Sequence, residues 1–324
     1  MTYTVLVTAP TLAAAGLERL AARNCRVLFI EQGQGAGEIE ALIAREPVDA
    51  VISRTLDLTS AALQASPRLK VVCKHGVGVG NIDVDAATRL GIPVFVTPGA
   101  NAQSVAEMTL ALMFAAARRV PWMDRQLRQG QWARVQDGLQ LSGRTLGLVG
   151  FGQVARRVAA ACQAIGMSVV VYDPFLPEGA ALEGVERVER LDQLLPLSNV
   201  LSLHVPLTAQ TRQLIGAAEL AALPVDALLI NTARGEVVDE TALIAALRER
   251  RLFAAGLDTM AVEPLPADSP LLQLDNVVLT PHVGGSTPAA LAAMARDAVQ
   301  HVLAYLDGEP GVAACCVNPL VFNR

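Results

Sequence analysis

Three residues whose side chains could share one reaction occur in separate stretches of the second half of the chain. Arg234 lies in INTARGEVVDE, Glu263 in LDTMAVEPLP and His282 in LTPHVGGS. A guanidinium can grip a carboxylate through two hydrogen bonds. A carboxylate beside an imidazole raises the pKa of the imidazole and fixes its tautomer, and the protonated imidazole can give a proton to a carbonyl oxygen as hydride arrives from a nicotinamide. Together the three residue types predict reversible reduction of a 2-oxo acid.

In this interpretation His282 is the acid and base, Glu263 raises its pKa, and Arg234 binds the substrate carboxylate or carbonyl. Each residue also has a simpler explanation: Arg234 could be a surface ion-pair partner, Glu263 a solvated turn acid and His282 a loop histidine. All three follow predicted strands, and α/β sheets place their sites at strand carboxyl ends, so their joint occurrence favours the catalytic interpretation. We expect His204, at a strand end, and His301, on the last helix, to be structural.

A unit that could bind a dinucleotide occupies residues 145–173. An apolar run leads to Gly150 and Gly152, an amphipathic helix follows, and a second apolar run ends at Asp173. Gly150 permits a sharp turn, and Gly152 lets backbone N–H groups approach a pyrophosphate at the helix N-terminus. Glycines also mark ordinary turns. Because strand, helix and terminal acid are in register, we expect a dinucleotide site, and the charge of Asp173 favours NAD over NADP.

A second glycine-rich stretch, KHGVGVGNID at residues 74–83, follows another predicted strand. Its glycines could free backbone N–H groups to form a small anion-binding nest, for which a substrate carboxylate is the expected guest. The alternative is a flexible turn between strand and helix. His75, directly before these glycines, fits either interpretation.

Composition excludes several classes of protein. The 324 residues are 52% hydrophobic and carry a net charge of −5, which gives no support for nucleic-acid binding. The five cysteines have no metal-ligand spacing, so we expect no metal site and reduced thiols. The start has no basic region before its first apolar run, and no apolar run is long enough to span a bilayer. We therefore expect a cytoplasmic protein without a membrane partner.

Short apolar runs alternate with helical segments along the chain, which predicts an α/β fold with doubly wound, mainly parallel sheets. Strands are expected near residues 3–9, 26–31, 48–53, 69–73, 92–96, 146–149, 169–172, 200–204, 227–232, 254–258 and 277–280. A helix expected at residues 102–119 is apolar nearly all round, so we expect it to be buried between domains or subunits. A last helix is expected at residues 288–306, before a loop-rich tail.

Read in order, these motifs resemble those of the D-isomer-specific 2-hydroxyacid dehydrogenase family, particularly its phosphoglycerate dehydrogenase-like and hydroxypyruvate/glyoxylate reductase-like members. The resemblance runs through KHGVGVGNIDVDAA, NAQSVAEMTLALM, GLVGFGQVARRVA, LSLHVPLTAQTR, INTARGEVVDE, LDTMAVEPLP and LTPHVGGST. It implies two Rossmann-like domains with a cleft between them. A discontinuous, flavodoxin-like substrate domain would comprise residues 1–100 and 288–324, and an NAD-binding domain residues 101–287. It also implies a homodimer formed through the region of residues 101–119.

The resemblance further implies that Arg234, Glu263 and His282 are the catalytic residues. The positions expected to contact the cofactor are Ser104, Gly150, Gly152, Gln153, Val154, Asp173, His204, Pro206, Thr211, Ala233, Asp258, Gly284 and Gly285. The positions expected to contact the substrate are His75, Gly76, Val77, Gly78, Arg234 and His282. A phosphoglycerate or hydroxypyruvate/glyoxylate type of substrate is expected.

Two departures from the family pattern stand out. The third fingerprint glycine is Ala155, which is still small enough for close packing of helix and strand. Gly80 replaces the usual aspartate of the substrate loop and leaves the substrate open. The chain ends soon after Asn318, so we expect no C-terminal regulatory domain and no serine feedback. Alternative functions are a phosphite or other small-anion dehydrogenase and a non-catalytic NAD-sensing protein; Glu263, where formate dehydrogenases carry glutamine, argues against formate.

Overall fold

Two parallel sheets organise the chain, as its alternating apolar runs predict. The computed structural model describes residues 2–177, 179–180, 182–309 and 312–323. Pro310 and Gly311, in the tail expected to be a loop, lie outside the described residues. The chain divides into unit 1, Met1–Asn101 with Ser286–Arg324, and unit 2, Ala102–Gly285.

The elements follow one another in regular alternation. The strands are β1 (Thr4–Val7), β2 (Arg26–Phe29), β3 (Ala50–Ser53), β4 (Val71–Lys74), β5 (Val94–Phe95), β6 (Thr145–Val149), β7 (Ser168–Tyr172), β8 (Glu186–Val188), β9 (Val200–Leu203), β10 (Leu228–Asn231), β11 (Ala254–Leu257) and β12 (Val277–Leu279). The helices are α1 (Ala14–Ala22), α2 (Ala36–Arg45), α3 (Ser60–Gln64), α4 (Val84–Arg89), α5 (Ala102–Ala117), α6 (Val120–Arg128), α7 (Gln153–Ala164), α8 (Leu191–Leu194), α9 (Ala217–Ala222), α10 (Glu240–Arg248) and α11 (Pro288–Leu306).

Unit 1 is a five-stranded sheet in the order β2-β1-β3-β4-β5, with every pair parallel. This is the flavodoxin-like order. One face is covered by α1 and α11, where Ala298 and Val299 pack with Val5 and Val7 in a fully buried cluster. The last long helix therefore completes the first sheet, and unit 1 is built from both ends of the chain.

Unit 2 is a seven-stranded parallel sheet in the order β12-β11-β10-β9-β6-β7-β8. The chain runs outward from β6 through β7 to β8, then returns to the other side of β6 as β9 and continues to β12. The switch point between β6 and β9 is where open α/β sheets bind ligands, outside the carboxyl ends of the strands. The α/β class with doubly wound parallel sheets is confirmed.

Helix α5 lies against the sheet of its own unit. It contacts β10 and β11, and Leu112 approaches so closely that a Cβ on Gly256 would lie 2.9 Å from the Leu112 Cβ. This packing covers part of the apolar helix within its own unit, because a parallel sheet needs helices on both faces. Its burial between domains or subunits stays a prediction. The helix ends at Ala117, before the expected 119, because Arg119 adopts a left-handed φ of 52°. No helix in the described part of the chain has the length and apolar character needed to cross a membrane.

Candidate active site

The turn between β6 and α7 contains two glycines, Gly150 and Gly152. The backbone conformation requires glycine at the first, and there is free space beside the second. Gly150 has a φ of +90°, and a Cβ there would lie 2.7 Å from the carbonyl oxygen of His204. A Cβ on Gly152 would meet nothing within 4 Å. Gly152 precedes α7, and no side chain caps this helix, whose first residues are Gln153 and Val154. The uncapped N–H groups and the free space beside them suit the pyrophosphate of a dinucleotide.

Asp173 lies directly after β7 and fixes the turn from the neighbouring strand. Its Oδ2 accepts the N–H of Phe151 at 2.9 Å, and its Oδ1 accepts the N–H of Phe175 at 2.9 Å. Asp173 is half-buried. The side chain of Phe175, two residues further on, is 92% exposed. Asp173 therefore occupies the position at which an acidic residue binds the adenosine ribose, and it also holds the glycine turn in shape.

The loop after β9 forms the other side of the switch point. The backbone N–H of His204 donates to the carbonyl of Val149 at 2.8 Å. Nε2 of the His204 side chain lies 2.9 Å from the hydroxyl of Ser202. Burial lowers the pKa of His204 to about 4, so its imidazole is neutral near pH 7. Further along, the Thr211 hydroxyl donates to the carbonyl of Pro206 at 2.5 Å and closes the loop. His204 thus supports the glycine turn through its backbone.

His282 and Glu263 form a direct pair. Nδ1 of His282 lies 2.7 Å from Oε2 of Glu263. An ionised carboxylate only accepts, so Nδ1 is the donor and Nε2 is left for a reacting atom. Oε1 of Glu263 accepts the N–H of Met260 at 3.0 Å. The side chains of His282 and Glu263 are 43% and 34% exposed, so solvent and ligands can reach the pair.

His282 is held in an unusual backbone conformation, with a φ of +54°. Non-glycine residues with positive φ are uncommon and persist where the surroundings fix them. Here the buried carboxylate of Asp258 provides this restraint: its Oδ1 accepts the Thr280 hydroxyl at 2.6 Å and the Val283 N–H at 3.0 Å, and its Oδ2 accepts the Gly284 N–H at 2.7 Å. Asp258 therefore clamps the chain on both sides of His282.

Ser104, in the first turn of α5, contacts the same loop. Its buried hydroxyl donates to the carbonyl of Gly284 at 2.6 Å, and Gly285 follows, half-buried. A Cβ on Gly284 would lie 2.8 Å from Oδ2 of Asp258, so only glycine fits beside that carboxylate. The structure thus gives Ser104 and Asp258 protein partners in the loop that carries His282. A contact of either residue with the cofactor remains a prediction.

Arg234 follows β10 at the same sheet edge. Asn231 stabilises this segment, since its Oδ1 accepts the N–H of Ala233 at 3.0 Å and its Nδ2 donates to the carbonyl of Arg234 at 2.8 Å. The half-buried guanidinium donates to the carbonyl of Ala233 at 2.6 Å. None of the ion pairs among the described residues involves Arg234. Its charge is therefore available to an anionic ligand.

In unit 1, residues 75–78 form a loop at the carboxyl end of β4. The N–H of His75 donates to the carbonyl of Ser53 at 2.9 Å, and the N–H of Gly76 donates to the Thr97 hydroxyl at 3.0 Å. Two of the N–H groups expected in an anion nest are therefore already engaged by the protein. Val77 is 49% exposed, and it and Gly78 are the remaining positions at which a substrate could be held through the backbone.

His75 itself is 7% exposed. Burial lowers its pKa to about 4, with a further contribution from the positive charge of Arg54. At neutral pH it therefore presents a neutral imidazole beside a guanidinium. Arg54 was not singled out from the sequence, although its place directly after β3 is of the kind that predicts a site residue.

A cavity of about 440 Å³ lies at the opposite edge of the seven-stranded sheet. It is lined by the first residues of β11 and β12 and by Arg119 and Trp122. Arg119 is engaged there by Asp137 and Asp275. Because the predicted site residues of unit 2 lie at the carboxyl edge, this cavity is separate from the candidate active site.

The described residues hold no group of three or more His, Cys, Asp or Glu side chains that could bind a metal ion. All five cysteines are free thiols.

Comparison with known proteins places the chain in a family. Residues 110–284 match the family model described as D-isomer specific 2-hydroxyacid dehydrogenase, NAD binding domain. The D-3-phosphoglycerate dehydrogenase of Methanocaldococcus jannaschii is 40% identical over 283 residues, which cover 86% of this chain and 54% of that protein. The glyoxylate reductase of Korarchaeum cryptofilum is 41% identical over 268 residues, covering 81% of this chain and 80% of the reductase.

Among solved structures, the TT0316 protein from Thermus thermophilus superposes with a TM-score of 0.88 at 37% identity, covering 97% of this chain and 99% of that one. The chain belongs to the D-isomer specific 2-hydroxyacid dehydrogenase family, as its motifs predict. Unit 2 contains the family's NAD-binding domain. The chain spans about half the length of the phosphoglycerate dehydrogenases that it matches.

Proposed function

We propose that the protein is an NAD-dependent dehydrogenase that interconverts a small 2-oxo acid and its D-2-hydroxy acid. The observation that carries the proposal is the 2.7 Å pair of His282, in the loop after β12, and Glu263, in the loop after β11 of the same NAD-binding sheet. A loop histidine without a function would not require a carboxylate partner and a left-handed backbone held by a buried aspartate. Family membership supports the same reaction class.

His282 acts as acid and base through Nε2. In reduction it gives its proton to the carbonyl oxygen of the substrate, and in oxidation it takes the proton of the hydroxyl. Glu263 accepts from Nδ1 in both directions, which fixes the tautomer and stabilises the imidazolium. Arg234 binds the substrate carboxylate or carbonyl and orients the reacting carbon. When bound, the reduced nicotinamide supplies the hydride.

The residues present fit NAD. The open space at Gly152 and the uncapped start of α7 would receive the pyrophosphate, with Gln153 and Val154 supplying N–H groups. Asp173 would bind the ribose hydroxyls and repel a 2′-phosphate. The remaining cofactor positions proposed from the sequence follow strands of the same sheet at its carboxyl edge: His204, Pro206, Thr211, Ala233, Asp258, Gly284 and Gly285.

We assign cofactor binding to unit 2, and we propose that residues 75–78 of unit 1 contact the substrate in addition to Arg234 and His282. Val77 is exposed and Gly78 half-buried, so solvent and ligands can reach this part of the loop, which supports the assignment. The substrate class proposed is the phosphoglycerate or hydroxypyruvate/glyoxylate type, because relatives about 40% identical are named for both reactions.

Oxidation of NADH by the purified protein tests this function. The substrates to compare are hydroxypyruvate, glyoxylate, 3-phosphohydroxypyruvate, 2-ketogluconate and branched 2-oxo acids. The configuration of each chiral product is determined on a chiral column, whereas glycolate, the product from glyoxylate, is achiral. We expect turnover of at least one acid and the D configuration in every chiral product. Protein that binds NADH and reduces none of these acids, or that gives an L-product, would contradict the proposal.

We also propose that the protein works as a homodimer in the cytoplasm. Leu127 is 54% exposed and Trp132 is 80% exposed in the segment that follows α5, and a partner subunit would cover apolar surface there. The free thiols suit a reducing compartment. Light scattering after gel filtration would give the mass of a dimer for the wild type, and Trp132→Ala would shift it toward a monomer. A monomeric wild type would rule the dimer out.

A further inference from the structure

Glu240 makes a contact that helix capping does not require. It is the first residue of α10, and Asp239 before it already supplies the cap, since its Oδ1 accepts the N–H of Ala242 at 3.1 Å. Oε2 of Glu240 instead accepts the N–H of Ala261 at 3.0 Å. Ala261 belongs to the loop after β11, so the carboxylate joins two segments that are distant in the sequence.

That loop carries Glu263, and the buried Met260 side chain anchors its first part in the hydrophobic core of unit 2. The N–H of Met260 donates to Glu263, and the next N–H, that of Ala261, donates to Glu240. Beyond Ala261 the chain faces solvent, with Val262 58% exposed. Two consecutive N–H groups therefore bind two carboxylates, one of which pairs with His282 while the other comes from α10.

The backbone beneath this loop is also in close contact with the segment that carries Arg234. A Cβ on Gly235 would lie 1.9 Å from the carbonyl carbon of Met260 and 2.0 Å from its oxygen. The two segments thus touch at Gly235, and the hydrogen bond from the Ala261 N–H to Glu240 joins them a second time. A shift of the loop would move Glu263 relative to both His282 and Arg234.

We infer that Glu240 is a positioning residue for the reaction: it holds the Met260–Ala261 turn so that the Glu263 carboxylate can engage Met260 and His282 at once. The inference rests on the proposed function, because it assigns Glu240 to the machinery of His282 and Glu263. The simpler alternative is that Glu240 only places a negative charge at the N-terminus of α10, which stabilises a helix wherever it lies.

Three variants separate these roles. Glu240→Ala removes both charge and acceptor, whereas Glu240→Gln removes the charge and keeps an oxygen that can accept from Ala261. Glu38→Ala removes an exposed first-turn acid from α2, a helix of similar length in unit 1, and serves as the control. Circular dichroism and thermal melting establish that each variant is folded.

If Glu240 positions Glu263, we expect Glu240→Ala to lower kcat about 10-fold or more, because a small displacement of a catalytic group is costly. The KM for NADH should change little. Glu240→Gln should recover kcat to within about threefold of the wild type, and Glu38→Ala should match the wild type. A wild-type kcat in Glu240→Ala, or equal losses in the Ala and Gln variants, would overturn the inference.

A second readout does not depend on turnover. NMR of protein with isotope-labelled histidine should show a downfield Nδ1 proton from the His282–Glu263 hydrogen bond, assigned as the signal that His282→Asn removes. It should weaken or disappear in Glu240→Ala and persist in Glu240→Gln and Glu38→Ala. An unchanged signal in Glu240→Ala would sink the positioning role even in an active enzyme. If the wild type reduces no 2-oxo acid but the signal follows this pattern, the proposed function fails and the positioning stands.

Discussion

The Glu263 carboxylate binds a backbone N–H with one oxygen and an imidazole with the other. Oε1 lies 3.0 Å from the N of Met260, and Oε2 lies 2.7 Å from Nδ1 of His282. Because the backbone fixes the first oxygen, the second can turn little, and it sets the plane and the tautomer of the ring. The geometry accounts for a histidine that can both give and take a proton at Nε2.

Replacement of either member of this pair should remove turnover and spare cofactor binding. His282→Asn suits the test because asparagine tolerates the positive φ at this position and cannot transfer the proton. We expect kcat to fall roughly 100-fold or more, with the dissociation constant for NADH within about twofold of the wild type. Stopped-flow kinetics and NADH fluorescence titration measure the two quantities. Near-wild-type turnover would remove His282 from its assigned role.

Glu263→Gln is the matched change at the partner residue. The amide oxygen can keep the Met260 contact, but the amide NH₂ then faces Nδ1 and favours the tautomer with the proton on Nε2. We expect kcat to fall by a factor similar to that in His282→Asn, and the double variant to be little worse than either single one, because the two side chains act as a unit. Losses that multiply in the double variant would show that they act independently.

Gly150 and Gly152 should respond in opposite ways to the same added methyl group. At Gly152 the methyl meets no protein atom within 4 Å, so Gly152→Ala should melt within about 2 °C of the wild type while the dissociation constant for NADH rises about 10-fold or more. At Gly150 the φ of +90° and the His204 carbonyl at 2.7 Å oppose a methyl group, so Gly150→Ala should lose on the order of 1–3 kcal/mol of stability. Unchanged NADH affinity in Gly152→Ala would argue against a pyrophosphate at this turn.

The fold class was predictable because each strand and helix carries its own pattern. Helix α11 begins at Pro288 and ends at Leu306, as predicted, since Thr287 caps it and proline suits a first helical position. The end of α5 could not be predicted from the sequence, because the left-handed turn at Arg119 is fixed by Asp137 and Asp275, which are distant in sequence. Strand β8 was missed because it is short, polar and at the sheet edge.

The candidate site shows the same division. That Asp258 follows a strand at the carboxyl edge could be predicted from the sequence, but its three hydrogen-bond donors could not, because they depend on how the loop after β12 folds back. Glu240 lies within the quoted motif INTARGEVVDE, yet its partner Ala261 becomes visible only in three dimensions. The sequence pattern thus predicts which residues lie at the carboxyl edge of the sheet. The hydrogen bonds in the structure show which of these residues position the others.

Asp173 should affect cofactor choice and turn stability separately. Asp173→Asn keeps an oxygen for one of the two N–H groups and removes the charge, whereas Asp173→Ala loses both acceptors. We expect the ratio of kcat/KM for NADH to that for NADPH to fall roughly 10-fold or more in both variants, because the charge excludes the 2′-phosphate. Asp173→Ala should lose about 1–3 kcal/mol of stability, more than Asp173→Asn, because both backbone donors lose their partner. A wild type that prefers NADPH would refute this role.

His75 should make the protein less stable in mild acid. Its pKa is lowered to about 4 in the folded protein, against about 6.5 in an unfolded chain. Between these values the unfolded chain binds a proton that the folded protein does not, so stability is full above about pH 6.5 and declines as the pH falls toward 4. The loss is on the order of 1 kcal/mol at about pH 5.5 relative to about pH 8.

His75→Gln should remove the part of the acid sensitivity that comes from His75. His204→Gln, in unit 2, should remove a similar part, because burial lowers the pKa of His204 to about 4 as well. Urea unfolding followed by circular dichroism at the two pH values measures each difference. Since the two residues lie in different units, their effects should add in the double variant. An acid sensitivity in His75→Gln equal to that of the wild type would mean that the imidazole is not buried in its neutral form.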